Sequence, residues 1–304
     1  MQGIKGDQVE KKTIAVTGAS GFIGRYLLDL LRTDENISVT ALTRSKAARD
    51  GGDGNIIWRQ TDYSFDSLKE VLRGTDAVIH LAGTKGFKTD PADFETDLEM
   101  MKNILEAMAA DKVGRIVYAS SRMAYGDPGS IPWKEEYELR AETAYGITKA
   151  RCEKMCSEYA EKYGFDAVAV RIAQVLGKGE GTRTMINVFQ TLAKEGKELT
   201  VMGKSVARRQ YIYTKDLAAI LKKLALMEDA PKVVNAGMIK AYTNYEIACL
   251  INQAYKNKTP VNYKDEEPET ITSSIMDVST MINKLEYIPM DMLQAMEDMA
   301  TESE

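Results

Sequence analysis

The chain has 304 residues, 44% of them hydrophobic, which suits one large α/β unit or a main domain with a smaller one folded onto it. Its 40 basic and 45 acidic residues are interspersed, and the net charge of -5 leaves neither a basic face for nucleic acid nor a polybasic membrane anchor. The polar start of the chain, and the lack of any apolar run near the roughly 18 residues that a spanning helix needs, predict a cytoplasmic protein. We expect a small-molecule partner.

Apolar runs rich in β-branched residues alternate with amphipathic helical stretches over much of the chain. The predicted strands are, in chain order, TIAV, SVTAL, NIIW, AVIHLA, RIVYAS and DAVAVRI. This alternation predicts the α/β class, with a doubly wound parallel Rossmann sheet over residues 13–173 behind a polar N-terminal extension, residues 1–12.

Beyond residue 173 the pattern becomes less regular. It predicts a helix at about Thr184–Glu195 and short strands near ELTVM and QYIYT. We expect residues 174–304 to form a smaller α/β substrate-binding portion at the carboxyl edge of the sheet, where open α/β sheets place their ligands.

A glycine-rich turn joins the first predicted strand to a helix in VTGASGFIGRYLLDLL. Gly18 permits a tight turn, Gly21 lets backbone amides approach a pyrophosphate, and Gly24 lets the helix lie close to the strand. The free amides at the helix N-terminus favour negative charge. A glycine turn without a ligand is the alternative, but the strand-turn-helix context favours a dinucleotide site.

The end of the second strand, TALTRS, bears on which dinucleotide binds. Thr43 stands where an acidic residue would bind the adenosine ribose, and the guanidinium of Arg44 can hold a 2'-phosphate. NADP is slightly favoured, and NAD with Arg44 as an ordinary surface residue stays open. Asp62 can accept from the adenine amino group or cap a turn. The predicted cofactor-binding residues are Gly18, Ser20, Gly21, Phe22, Ile23, Gly24, Arg44, Asp62, Tyr63, Leu81, Ala82, Gly83, Tyr145 and Lys149.

His80 is the only histidine, and it lies inside the apolar run DAVIHLAG. We interpret it as a packed neutral histidine, which argues against a Ser-His-Asp triad and a histidine-ligated catalytic metal. Cys152, Cys156 and Cys249 are odd in number and lack metal-ligand spacing, so we expect reduced, buried cysteines and no metal site. Another residue type must carry the proton in any reaction.

Tyr145 and Lys149 in TAYGITKARCEKM are spaced to share one helix face. A phenol is ordinarily protonated at neutral pH, whereas an adjacent ammonium and a nicotinamide cation favour the phenolate, so Tyr145 is a candidate acid/base. Lys149 would also bond the nicotinamide ribose. The fifth predicted strand, in RIVYASSRMAYGD, carries Ser120 and Ser121 to the edge where the cofactor is expected, and a serine hydroxyl there can orient the substrate oxygen.

In these motifs and their order, the sequence resembles the extended short-chain dehydrogenase/reductase family, in its NAD-dependent epimerase/dehydratase branch. The likeness covers nearly the whole chain and is carried by VTGASGFIG, DAVIHLAG, NILEAM, VYASSRMAYGD, YGITKARCE, RRQYIYTKDLA and VVNAG. The resemblance implies catalytic roles for Ser121, Tyr145 and Lys149, a contact of Arg209 with the nucleotide diphosphate, and a structural role for Asp216.

Three positions depart from the family pattern. Asp97 replaces a common asparagine and would either alter polarity near the cofactor or face solvent. Arg122 and Met123 replace the acid and base with which sugar dehydratases of the family eliminate water, and Gln174 stands where relatives often have an asparagine. The predicted substrate-binding residues are Ser120, Ser121, Arg122, Gln174 and Arg209.

The resemblance implies a nucleotide-sugar epimerase, acting at C4 of a UDP-hexose-like substrate through a 4-keto intermediate. An NADPH-dependent reductase of a nucleotide 4-keto-sugar is the alternative, and a non-catalytic NADP-binding regulator is a third. The resemblance also implies a homodimer formed by two long helices, at about residues 93–110 and 143–162. Leu98, Met101 and Leu105 could serve that contact, and core packing explains them equally well.

Overall fold

The computed structural model describes residues 11–45, 54–84, 90–181, 184–264 and 272–301, so most of the predicted N-terminal extension lies outside the described residues. The strands in these ranges are β1 Lys12–Thr17, β2 Ile37–Thr43, β3 Ile56–Gln60, β4 Ala77–His80, β5 Arg115–Ser121, β6 Asp166–Ile172, β7 Gln174–Leu176, β8 Leu199–Met202, β9 Tyr211–Tyr213, β10 Val233–Ala236 and β11 Val261–Lys264. The α-helices are α1 Phe22–Arg32, α2 Phe65–Val71, α3 Glu95–Asp111, α4 Ala144–Tyr163, α5 Met185–Lys194, α6 Thr214–Leu226, α7 Asn244–Ala254, α8 Ser279–Lys284 and α9 Met292–Thr301. Short 3-10 helices span Pro91–Phe94 and Arg122–Tyr125.

Seven strands form one parallel sheet in the order β3-β2-β1-β4-β5-β6-β10. All six predicted strands are present, and the predicted α/β class with a Rossmann sheet is confirmed. The direction of strand addition reverses between β1 and β4, so their carboxyl ends open the crevice in which such sheets bind ligands. The seventh strand, β10, comes from residues 174–304, and the division at residue 173 stays a prediction.

Helices cover both faces of the sheet. On one face α1 and α6 bury Leu27 and Leu221, and on the other α3 buries Met101 and Leu105. A fully buried side chain of this size stabilises the fold by about 1.5–3 kcal/mol. Because Met101 and Leu105 have no exposed surface, core packing accounts for them, and the homodimer stays a prediction.

The remaining elements form a second apolar core beside the sheet. Phe189 of α5, Ile247 of α7 and Met296 of α9 pack together there, next to the two-stranded sheets β8-β11 and β7-β9. The predicted helix is confirmed, since Thr184 caps α5 by accepting from the amide of Asn187 at 3.3 Å. The strands predicted near ELTVM and QYIYT are also present, as β8 and β9.

The three cysteines differ in their surroundings. Cys152 and Cys156 are free and buried, as predicted, but the prediction that Cys249 is buried is wrong. Cys249 lies on the solvent side of α7, whose core side is formed by Ile247 and Ile251. Among the described residues we find no group of three or more potential metal ligands, and no helix there has both the length and the apolar character to cross a bilayer.

Candidate active site

The glycine turn after β1 is too close-packed for side chains at two of its positions. Gly18 has φ +65°, and a Cβ there would lie 2.7 Å from the amide nitrogen of Ala82 in the segment after β4. A Cβ on Gly24 would lie 2.4 Å from the carbonyl oxygen of Gly18. The first glycine therefore brings the turn against the neighbouring strand end, and the third lets α1 start directly on the turn.

The N-terminus of α1 offers backbone amides to an anion. Gly21 is its N-cap, no side chain caps it, and its first turn holds no acidic residue. Beside it lies a cavity of about 600 Å³. The predicted residues that line this cavity are Gly18, Ser20, Gly21, Arg44, Asp62, Tyr63, Leu81, Ala82 and Gly83. Free amides and a backbone cradle that a Cβ would fill fit the pyrophosphate of a nicotinamide dinucleotide.

Two predicted cofactor residues direct their side chains elsewhere. Ile23 packs against the core on the α1 face of the sheet, and the ring of Phe22 meets Tyr26 edge-on at 5.9 Å between centroids. Neither side chain lines the cavity described above. Only their backbone amides, at the start of α1, are therefore placed to meet a cofactor.

The far end of the cavity is lined by Arg44, Asp62 and Tyr63. Asp62 Oδ1 accepts from the amide and hydroxyl of Ser64 at 2.9 and 2.7 Å, bonds that lower the pKa of Asp62. One oxygen therefore caps the turn, and the other is left for a ligand. Tyr63 has φ +64°, and its carbonyl accepts from Asn103 Nδ2 at 3.0 Å. Asn103, the first residue of the NILEAM motif, also lines the cavity, although it was not among the predicted site residues.

Thr17 joins the two strand ends that frame the crevice. Its Oγ1 accepts from the amides of Leu81 and Ala82, both at 3.1 Å, and lies 2.7 Å from Nδ1 of His80. Because the two amides occupy its lone pairs, the hydroxyl hydrogen is donated to Nδ1. Burial, and then the charge of Lys149, lower the pKa of His80 from 6.5 to about 3. The predicted packed neutral histidine is confirmed, with a positioning role that the sequence did not indicate.

The catalytic candidates Ser121, Tyr145 and Lys149 come together at the carboxyl end of β5. Lys149 is only 8% exposed, and its Nζ donates to the carbonyl oxygen of Ala119 at 2.8 Å. The same ammonium lies 5.6 Å from the centre of the Tyr145 ring. Ser121 Oγ accepts from the amide of Met123 at 3.2 Å and so caps the following 3-10 helix.

Gly146, next to the tyrosine, sets how closely α4 approaches this serine. A Cβ on Gly146 would lie 2.3 Å from the carbonyl oxygen of Met123, in the 3-10 helix that Ser121 caps. Thr143 caps the first turn of α4 by accepting from the Gly146 amide at 3.1 Å. The absence of a side chain at Gly146 thus lets α4 carry Tyr145 close to Ser121.

Asp97 is buried near Lys149, so it does not face solvent. Its carboxylate accepts from the amide of Thr84 at 2.8 Å and from the Thr84 hydroxyl at 3.0 Å. A Cβ placed on Gly83 would lie 3.3 Å from Asp97 Oδ2 and 3.9 Å from Lys149 Nζ. The carboxylate and the ammonium therefore flank Gly83 at the inner end of the cavity.

Ser120, predicted to bind substrate, is instead used inside the protein. It is 3% exposed and donates its hydroxyl to Glu153 of α4. Glu153 also pairs with Arg171 of β6 at 2.9 Å, and both side chains are buried. Successive residues of a strand face opposite sides, so Ser121 can face the crevice while Ser120 fastens β5 to α4.

The remaining substrate candidates lie where the second core meets the sheet edge. Gln174 begins β7 and pairs with Tyr211 of β9, and Arg209 precedes that strand by two residues. Arg122 follows Ser121, is half-buried, and lies within electrostatic reach of Arg209, Tyr211 and Tyr145.

Asp216 of α6 is a structural residue. Its carboxylate accepts from the hydroxyl of Tyr287 at 2.8 Å and from the amide of Met290 at 3.0 Å. It fastens α6 to the segment before α9, the role that the family resemblance implied.

Comparison with known proteins agrees with this geometry. The chain is 29% identical to a UDP-glucose 4-epimerase of Cyamopsis tetragonoloba over 299 residues, 86% of this chain and 85% of that protein. Among solved structures, a UDP-N-acetylglucosamine 4-epimerase from Bacillus cereus superposes with a TM-score of 0.84 at 32% identity, over 95% of this chain and 96% of that one. The fold is shared with a UDP-glucose 4-epimerase of Thermus thermophilus in complex with NAD (TM-score 0.78, 21% identity, 95% and 97% covered). Residues 14–237 match the NAD dependent epimerase/dehydratase family, and the chain belongs to that family.

Proposed function

We propose that the protein is a nucleotide-sugar 4-epimerase that keeps a nicotinamide dinucleotide bound throughout its cycle. The observation that carries the proposal is the convergence of Ser121, Tyr145 and Lys149 beside the cavity that suits the dinucleotide. The relatives named above, which are UDP-sugar 4-epimerases, support a UDP-hexose-like substrate. A binding protein would need no acid/base at this position.

The proton chemistry falls to the three catalytic residues. Tyr145 removes the proton of the C4 hydroxyl, Ser121 holds the same oxygen by a hydrogen bond, and Lys149 stabilises the negative charge on the phenol. The nicotinamide ring, when bound, supplies a reversible acceptor for the C4 hydride. After the 4-keto sugar has turned over in the site, it takes the hydride back at C4 on its other face while Tyr145 returns the proton, and the opposite configuration at C4 results.

Single residues argue for or against two other activities, dehydration and reduction. Dehydration needs an acid and a base after the catalytic serine, and Arg122 and Met123 supply neither. A reductase that draws on NADPH is favoured by Arg44, which is exposed at the cavity wall where a 2'-phosphate would lie. We favour NAD and the epimerase, because the family is NAD-dependent.

The decisive experiment identifies the nucleotide that the protein retains. Protein purified without added cofactor is denatured, and the released nucleotide is measured by mass spectrometry. Near-stoichiometric NAD supports the closed cycle, whereas an empty site that later prefers NADPH supports the reductase.

A Tyr145→Phe variant then tests the assigned acid/base. We expect turnover to fall by about 10²- to 10⁴-fold with the cofactor still bound. Unchanged turnover would exclude Tyr145 as the catalytic group.

A further inference from the structure

Asp97 places a negative charge at the inner end of the cavity. It belongs to α3, is 8% exposed, and lines the cavity together with Gly83 and Thr84. Its Oδ1 accepts from the amide and the hydroxyl of Thr84 at 3.1 and 3.0 Å, and its Oδ2 accepts from the same amide at 2.8 Å. The segment that follows β4 therefore fixes the position of this carboxylate.

The protein leaves the charge of Asp97 without a direct counter-charge. Within the described ranges, Thr84 supplies its only hydrogen bonds, and no lysine or arginine forms an ion pair with it. The ammonium of Lys149 reaches the other side of Gly83, where a Cβ would lie 3.9 Å from Nζ and 3.3 Å from Asp97 Oδ2. That ammonium donates instead to the carbonyl oxygen of Ala119 at 2.8 Å. Both charges are thus held by other groups and remain able to act on a ligand.

The arrangement of the cavity assigns this inner end to the nicotinamide half of the cofactor. The pyrophosphate fits the backbone amides at the start of α1, and Arg44 and Asp62 line the far end, where the adenosine is expected. In the proposed reaction the nicotinamide has to reach the catalytic candidates at the carboxyl end of β5, and Gly83 connects the cavity with one of them, Lys149. The charge of Asp97 therefore acts on the half of the cofactor that exchanges hydride.

We propose that Asp97 makes the site favour the oxidised nicotinamide over the reduced form, and that it does so by its charge. The oxidised ring is a cation and the reduced ring is neutral, so a fixed carboxylate nearby stabilises the oxidised ring selectively. Burial strengthens this effect, because water and salt screen a buried charge less. The ammonium of Lys149 acts in the opposite sense, and Asp97 offsets it.

This inference rests on the dinucleotide site of the proposed function, and it does not depend on which sugar binds. A 4-epimerase returns its hydride in every cycle, so a preference for the oxidised cofactor leaves the site ready for the next substrate. The same preference would hinder a reductase, which has to release the oxidised cofactor. The charge of Asp97 therefore favours the closed cycle over the reductase.

The test measures which redox form the protein retains, without any sugar. Purified holoenzyme is equilibrated with NAD and NADH at known ratios, and the bound nucleotides are then released and quantified by mass spectrometry. We expect Asp97→Asn to move the ratio of the two dissociation constants about 10-fold towards NADH, the scale of one partly buried unit charge. This change corresponds to about 30 mV in the two-electron potential of the bound cofactor. Asparagine keeps an oxygen that can accept from Thr84, so the substitution removes the charge and leaves the anchor.

Two further variants control for the location and the sign of the charge. Glu95→Gln removes an exposed carboxylate from the first turn of the same helix and should leave the ratio unchanged. Lys149→Met removes the opposing charge and should move the ratio towards NAD. It also gives a reading of its own if Asp97→Asn folds poorly. Because the readout is a ratio, a general loss of affinity cancels from it.

An unchanged ratio in Asp97→Asn, or shifts of Asp97→Asn and Lys149→Met in the same direction, would overturn the inference. An equal loss of affinity for both redox forms also overturns it and leaves Asp97 as an anchor of the segment after β4. If the wild type binds neither form, the proposed function falls as well. The expected shift in a protein that epimerises neither UDP-glucose nor UDP-N-acetylglucosamine supports this role of Asp97 and counts against the epimerase.

Discussion

Acidification should destabilise this protein through its single histidine. The folded state holds His80 neutral, with a pKa of about 3, because the ring is buried and the positive charge of Lys149 lies nearby. In the unfolded chain the imidazole has its ordinary pKa near 6.5. Between these two values the unfolded state binds more protons, so the free energy of unfolding falls as the pH falls. From pH 7 to pH 5 the loss amounts to about 2 kcal/mol, at about 1.4 kcal/mol for each pH unit below 6.5.

Urea unfolding at pH 7 and pH 5 measures this loss, with His80→Asn as the matched variant. Asparagine offers an oxygen acceptor to Thr17 but does not titrate, so carboxylate contributions cancel when the pH dependence of the variant is subtracted. The difference should be about 2 kcal/mol. NMR of histidine-labelled protein gives an independent check, because the chain contains one imidazole. A folded-state resonance that titrates near 6.5, or equal losses in both proteins, would refute the reasoning.

Three substitutions test the packing that positions the site. Gly24→Ala should weaken cofactor binding at least about 10-fold and lower the free energy of unfolding by about 1–3 kcal/mol, because its Cβ overlaps the turn. Gly114→Ala, where a Cβ has room, should change little. A fluorescence titration measures binding and thermal unfolding measures stability, and equal effects of the two substitutions would contradict the overlap. Gly146→Ala should lower kcat about 100-fold with cofactor binding retained, because it displaces α4 from the serine, and a wild-type kcat would disprove this. Arg171→Met should cost about 3–5 kcal/mol in urea unfolding by leaving a buried carboxylate unpaired, and adding Glu153→Leu should recover most of it; no recovery would mean that the loss lies in packing.

The features that could be predicted from the sequence are those encoded over short distances. Each of the six predicted strands is a short run of its own, rich in apolar and β-branched residues, and the glycine turn and the Tyr145–Lys149 pair lie within single segments. Local patterns of this kind survive whatever the rest of the chain does. They were enough to predict a crevice and a candidate catalytic group at the same edge of the sheet.

What the sequence could not supply are contacts between distant segments. Gly146 is required because α4 meets the turn after β5, and no pattern in the sequence around Gly146 predicts that approach. The return of β10 and α6 to the main sheet depends on which core their apolar faces join. Arg171 gave a usable signal, because an arginine inside the apolar run DAVAVRI demands a buried partner, but spacing could not identify that partner as Glu153.

The contacts around α4 separate the parts of the site that are held rigidly from those that set specificity. Lys149 bonds the backbone of β5, Ser120 bonds Glu153 one helical turn later, and Gly146 packs against the turn after that strand. The proposed proton-transfer group is therefore attached to the central sheet at three points, which suits chemistry that tolerates little displacement. Arg209 bonds Asn244 of α7, and Gln174 pairs with Tyr211 of β9, so these substrate candidates are attached to the second core. We therefore expect differences in substrate among proteins of this architecture to arise there, while the catalytic geometry stays the same.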